Sequence, residues 1–229
     1  MRRKMSSKVL FITLFTVLGT MLVVALLWTL GDISLPTARA ATFTVNVTFD
    51  EKDDECVSDC SLRDAIILAN GNGQIDTITL GAYTYTLSLS GPGENAGATG
   101  DLDITAPLTI TGLGPELTII DADNIDRVFD VRTGAGEVVL SDLTVMNGSV
   151  VHPVRGGGIA NADADLTLLN VHFQENSAGA GGAVYVATGN VSIVGGRISD
   201  NFARSGGGMF VASGSATLSG GRFLRLSLI

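Results

Sequence analysis

GGGIANADADLTLLNVHFQENSAGA (residues 156–180), GGAVYVATGNVSIVGGRISDNFARS (181–205) and GGGMFVASGSATLSGGRFLRLSLI (206–229) read as three copies of one unit. Their Gly tracts open at Gly156, Gly181 and Gly206, so the spacing is 181 − 156 = 206 − 181 = 25 residues. Apolar positions hold register between copies: Ile159, Val184 and Met209; Leu166, Val191 and Ala216; Leu168, Ile193 and Leu218; Phe173, Ile198 and Phe223. Within a copy they alternate with polar residues, the period of a strand with one buried face. No sustained helical period occurs between residues 72 and 229, which excludes helical repeat families. A unit of about 25 residues with about three short strands is one coil of a β-solenoid.

The expectation is therefore an all-β, right-handed parallel β-helix in which each coil stacks like residues on like. Asn176 and Asn201 coincide in the alignment, and stacked Asn side chains at a corner satisfy buried polar groups from coil to coil. The third copy has Leu226 there and the chain ends at Ile229. That reads as a truncated or frame-shifted C-terminus whose open coil frays or self-associates edge to edge. Residues 101–148 read as earlier, less regular coils, with turns at Gly112-Leu113-Gly114-Pro115 and Thr133-Gly134-Ala135-Gly136.

Moving toward the N-terminus, residues 41–100 precede the regular coils. The stretch from Ser61 to Asn70 predicts one short helix. Ser61 with Asp64 resembles a capping box, Leu62, Ala65, Ile66 and Ala69 share a face, and Asn70-Gly71 supplies the stop. A helix here covers the open apolar end of the first coil. Cys56 and Cys60 are too few for a structural zinc site, and a local disulfide is expected in an oxidising compartment. The acidic run DEKDDE (50–55) is expected to be a solvated loop, with Ca²⁺ the alternative occupant.

Residues 1–40 have the organisation of an export signal. Arg2, Arg3, Lys4 and Lys8 form a basic start, an uncharged apolar run occupies 9–30, and Ala38-Arg39-Ala40 resembles a cleavage site. The alternative is a retained membrane anchor, since the run is long enough to span a bilayer. The whole chain has net charge −9. Without residues 1–40, which carry five basic side chains and one acidic, 9 basic and 22 acidic remain, a net charge of 9 − 22 = −13. Such a chain as a whole repels nucleic acid and anionic membrane; divalent cations and neutral glycans are easier partners. Hydrophobic residues at 45% against 16% charged allow a sizeable core and exclude a disordered chain.

The segment CSLRDAI (60–66) resembles the CSLREA motif of bacterial cell-surface proteins, with Asp64 and Ile66 at the ends of the match. Residues 76–80, 83–87, 100–104 and 118–121 also resemble that family. The GGGI-type tracts are similar to those of polymorphic outer-membrane-protein and pectin-lyase-like β-helices. The resemblance implies a secreted or surface β-helix and supplies no catalytic residue.

The search for chemistry gives three further expectations. The carboxylate pairs Asp101/Asp103, Asp121/Asp123 and Asp163/Asp165 are each spaced i, i+2, so both members of a strand pair face one way. They are expected to be solvated turn carboxylates, the alternative being Asp121 and Asp123 acting on a polysaccharide beside Arg127 or Arg132. His172, Arg197 and Arg222 align as an outward basic column, and Ala160, Tyr185 and Phe210 as an outward column with two aromatics. Ladder stacking between coils accounts for both, and glycan contact is the functional alternative. No nucleophile elbow, H-E-x-x-H or P-loop occurs in the sequence. The reading is a surface or secreted β-helix in contact with a cell-surface glycan or another surface protein. Its alternatives are a polysaccharide lyase or hydrolase on the same scaffold, or a nonfunctional fragment of a longer protein.

Overall fold

The structure is a computed structural model, and it describes residues 39–91 and 93–223. The export segment up to residue 38, and Leu226, lie outside the described residues. Among the described residues no helix is long and apolar enough to cross a membrane.

Among the described residues twenty strands wind into a solenoid of about five turns whose coils stack in parallel. Sheet A has seven strands, ending with Glu137–Ser141, Asp165–Leu169, Asn190–Val194 and Ser215–Ser219. Sheet B has six, among them Thr144–Met146, His172–Gln174 and Arg197–Ser199. Sheet C has five: Leu102–Ile104, Phe129–Val131, Ile159–Asn161, Val184–Val186 and Met209–Val211. A two-stranded sheet, Ser177–Ala180 with Phe202–Ser205, fills the link between sheets B and C in the last regular coils.

The pairing register is the one the alignment of copies requires. Leu168 lies beside Ile193 and Ile193 beside Leu218, continuing a column that begins at Phe43 and runs through Ile78, Ile110 and Leu140. Sheet B contributes Tyr85, Ile120, Val145, Phe173 and Ile198, all buried. Sheet C contributes Leu102, Phe129, Ile159, Val184 and Met209, also buried. Full burial of each such side chain is worth about 1.5–3 kcal/mol. The register therefore resists slipping, because a one-residue slip would turn every column outward.

The coils are not of one length. Successive partners in sheet A are Thr42 and Thr77, Asp76 and Leu108, Leu108 and Val138, Val138 and Leu166, Leu166 and Val191, and Val191 and Ala216. The differences in residue number are 35, 32, 30, 28, 25 and 25. The 25-residue period is thus the property of the last coils, and the overall spacing is nearer 27. In the last four coils the corners stay constant while the links shrink. One of these corners is left-handed, at Asp142, Asn170, Gly195 and Gly220 with φ of 55, 51, 71 and 69°. Another is occupied by Asn147, Glu175 and Asp200, with φ of 56, 58 and 60°. Asp, Asn and Gly tolerate that region best, and all of these corner residues but Glu175 are of those types.

Inside the corner, Asn176 is fully buried and donates to Asn201 Oδ1 at 2.9 Å and to Val145 O at 3.0 Å, while its own Oδ1 accepts from Gly148 N. The expected Asn ladder is present, running from Gly148 through Asn176 to Asn201.

The helix, α1, spans Leu62–Asn70 and packs on Asp76–Thr79 and Leu102–Ile104. Leu62, Ala65, Ile66 and Ala69 are buried on its inner face, and the Ser61 side chain caps it by accepting from Asp64 N at 3.1 Å. The stop falls at Gly71 as expected, but in the right-handed conformation, φ −78°. Asn70 makes the anchor instead: its amide donates to Asp103 O and accepts from Thr105 N, both at 2.8 Å.

Arg63 holds this end together. Its side chain is fully buried and makes five hydrogen bonds: two to the Asp50 carboxylate (2.6 and 3.1 Å), and one each to the carbonyls of Gly97, Gly100 and Asp101. Asp50 in turn accepts from the backbone N–H groups of Ser88 and Leu89. Asp64, also buried, accepts from Asp53 N, Asp54 N and Ser61 Oγ. The acidic run is therefore not a uniformly solvated loop. Asp50 is drawn inside by Arg63, whereas Lys52, Asp53, Asp54 and Glu55 are exposed, with Lys52 paired to Asp54. Cys56 and Cys60 are joined by a disulfide in the same loop.

Removing the guanidinium leaves the Asp50 carboxylate buried and three carbonyls unpaired. Arg63→Ala is expected to cost about 3–5 kcal/mol in chemical denaturation, whereas Lys52→Ala leaves the midpoint unchanged. Equal midpoints for the two variants would show that Arg63 does not hold the cap.

Candidate ligand-binding groove

Sheet C carries an outward column of unusual content. Asp103, Asp130, Ala160, Tyr185 and Phe210 are in register along it, each flanked by inward residues that are apolar except for Asn161. The N-terminal half is acidic and the C-terminal half aromatic. Above the column runs the link between Thr144–Met146 and Ile159–Asn161. It is fixed by backbone bonds Ser149 N to Asp126 O, Val150 N to Ser177 O and Gly179 N to Val154 O.

This link changes the fate of the aromatic column. Tyr185 points outward from the sheet, as the alternation requires, yet it is 6% exposed. Arg155 lies over its ring, 5.2 Å from the centroid, and donates to its hydroxyl at 2.6 Å. Phe210 stacks against the same ring with centroids 5.8 Å apart and an interplanar angle of 12°. Both a cation–π contact and an offset aromatic pair are thus built on one tyrosine.

Along the link the surface is grooved. A hollow of about 520 Å³ lies between His152, Pro153, Arg155, Arg204 and Phe210. A second of about 350 Å³ is lined by Arg127, Asp130, Arg132, Arg155, Ala160 and Tyr185. A third of about 370 Å³ involves Ile125, Asp126, Arg127, Val150, Val151 and Val154. Each falls in the range of small-ligand sites.

The acidic half overturns the expectation of solvated carboxylates for Asp101 and Asp103. Both are buried. Burial pushes Asp101 up to about 8, opposed by Arg127 and assisted by Asp126, Asp103 and Asp130. Arg127 Nε lies 2.8 Å from Asp101 Oδ2, a distance that would normally favour the ionised acid. The Nε–H nevertheless has no aligned acceptor, so the contact is Coulombic without a good hydrogen bond, and burial prevails. Burial also raises Asp103 to about 6, although Gly97 N donates to its Oδ2 at 2.8 Å; its Oδ1 has no donor. Asp130 is the better-paired member, bound by Arg132 Nη1 at 2.6 Å.

Asp121 and Asp123 do not join Arg127 or Arg132. Asp121 belongs to sheet B, where its Oδ1 accepts from Asp123 N and Asn147 Nδ2, both at 2.9 Å. Asp163 accepts from Gly134 N and Asp165 from Asn190 Nδ2, so these serve turns and ladders. His172, Arg197 and Arg222 stand in register on sheet B, so they form a surface separate from the aromatics on sheet C. Burial lowers the His172 imidazole, and the Arg197 charge adds to this against the pull of Glu116, 3.6 Å away. Arg197 and Arg222 are exposed. Among the described residues no three His, Cys, Asp or Glu side chains are grouped as metal ligands.

Sequence reasoning missed the covering link, and with it the roles of Arg155 and Arg204. The available signal was the extra length between the copies' sheet B and sheet C strands before Gly156.

Asp101 gives a pH dependence of definite sign. Its folded-state value of about 8 exceeds the usual 3.8. Its contribution to stability is therefore full below about pH 4 and is lost as pH rises through about 8. Asp101→Asn removes the titration, so the variant's melting temperature should gain on the parent's between pH 4 and pH 8 and stay level above. Parallel curves across that window would show that Asp101 is ionised throughout.

No protein-family model matches the chain, no curated protein matches its sequence, and no solved structure matches it.

Proposed function

We propose that this chain is an exported bacterial surface or secreted protein, a right-handed β-helix that contacts glycans through a side face and carries out no reaction itself. The hand follows the strong rule for parallel crossovers between twisted strands. Export rests on the basic start, the apolar run and Ala38-Arg39-Ala40, and the surface location on the resemblance of CSLRDAI to the CSLREA motif.

The observation that carries the glycan reading is the Tyr185–Phe210 stack beside the groove on sheet C. Sugars present flat C–H faces that lie well on aromatic rings while their hydroxyls reach polar groups around them. Tyr185 is held in place by Arg155, and Phe210 is only partly covered and lines the groove. Rigid aromatics on a stacked scaffold lose little conformational entropy on binding.

Binding of the secreted protein to immobilised neutral and charged glycans tests this reading. Phe210→Ala should weaken binding about 2- to 10-fold, the worth of one aromatic contact, without moving the melting temperature by more than a few degrees. N-terminal sequencing of secreted material should begin at Ala41. Absence of glycan binding would remove the reading, and turnover of a polysaccharide would replace it with the enzymatic alternative.

A further inference from the structure

Charge is distributed against the average of the molecule. Outside residues 1–40 the chain has 22 acidic side chains to 9 basic ones, so most surfaces repel anions. Four of those nine, Arg127, Arg132, Arg155 and Arg204, nonetheless border the grooves on sheet C. They fall into two classes. Arg127 and Arg132 are committed to Asp101, Asp130 and Asp103, within 2.6 to 3.9 Å. Arg155 and Arg204 are exposed and have no carboxylate within salt-bridge reach among the described residues.

The hollow of about 520 Å³ has these two arginines and His152 on its walls, with Phe210 beside them and, among the described residues, no Asp or Glu in its lining. Arg155 keeps one Nη on the Tyr185 hydroxyl, which fixes its orientation while leaving its other N–H groups available. At physiological salt, charges more than about 8 Å away are largely screened. The local field of the hollow is then set by its own arginines and not by the net charge.

We propose that this hollow binds an anionic glycan, one sugar ring lying against Phe210 and its carboxylate or sulfate ester held between Arg155 and Arg204. The proposal rests on the glycan-contact reading above and narrows it to a charge class and a subsite. Guanidinium groups pair with planar carboxylates and with sulfate oxygens through two parallel N–H donors, which a neutral sugar does not use. The Asp103–Asp130 half of the same face, already neutralised by Arg127 and Arg132, adds little attraction. The anion is therefore expected at the C-terminal end of the groove alone.

The test is direct binding of the whole secreted protein to four probes: a polyuronate, a sulfated glycosaminoglycan, a neutral dextran and poly-glutamate. Anionic glycans should bind more tightly than dextran, with affinity falling as salt rises. The polyuronate and sulfated arms then identify which ester or acid is preferred. Arg204→Gln should weaken that binding about tenfold, with the dextran signal and the melting temperature unchanged. Arg197→Gln, on sheet B, should have no effect. Dextran binding as tightly as the anionic chains overturns the charge-class proposal but leaves glycan contact standing. Binding of no glycan at all overturns both. Tighter binding of poly-glutamate than of either anionic glycan assigns the hollow to an acidic peptide and overturns the proposal, as does equal loss in Arg197→Gln.

Discussion

A guanidinium without solvent must find an acceptor for every N–H, and Arg63 finds its partners in two segments on either side of the helix in sequence, the Asp50 loop and residues 97–101. Its five hydrogen bonds reach Asp50 before the helix and the carbonyls of Gly97, Gly100 and Asp101 after it. A solenoid coil buries its apolar interior only against the neighbouring coil, so the first coil has an open end by construction. The helix Leu62–Asn70 covers part of that end with four apolar residues, and the Arg63–Asp50 pair fixes it there. Downstream stacking depends on this, because each later coil is placed by the register of the one before it.

From that end the molecule simplifies coil by coil. Spacing in sheet A falls from 35 residues to 25 while the inward columns persist, and the left-handed corners recur from Asp142 onward. Length is therefore lost from the links, which face solvent and have no column to maintain. Where a link is long it can do something else. Residues 147–158 fold over sheet C and make a groove out of what would otherwise be a flat face. The same folding-over buries Tyr185 and sets Arg155 on its ring.

Two electrostatic regimes share that face. Asp101 and Asp103 lie where burial outweighs a neighbouring arginine, so the acid end is partly uncharged near neutral pH and its arginines are engaged locally. At the other end Arg155 and Arg204 have no such partners among the described residues. A protein with a large excess of carboxylates can in this way hold a cationic hollow, since screening confines each field to its own neighbourhood.

The amino-acid sequence by itself determined the parallel solenoid, the inward columns, the Asn176–Asn201 ladder and the face of the helix. All of these are written at fixed local periods: two along a strand, about 3.6 along a helix, and 25 between the last coils. Alternation says which side of a sheet a residue occupies, and that much was legible for Tyr185, Phe210, Asp101 and Asp103. It does not say whether another segment lies on top. The cover over Tyr185, the burial of the two carboxylates, and the meeting of Arg63 with carbonyls 34 to 38 residues away were decided only by tertiary structure. These contacts come from links of irregular length, whose path is set by where their ends are held and not by any period in their sequence.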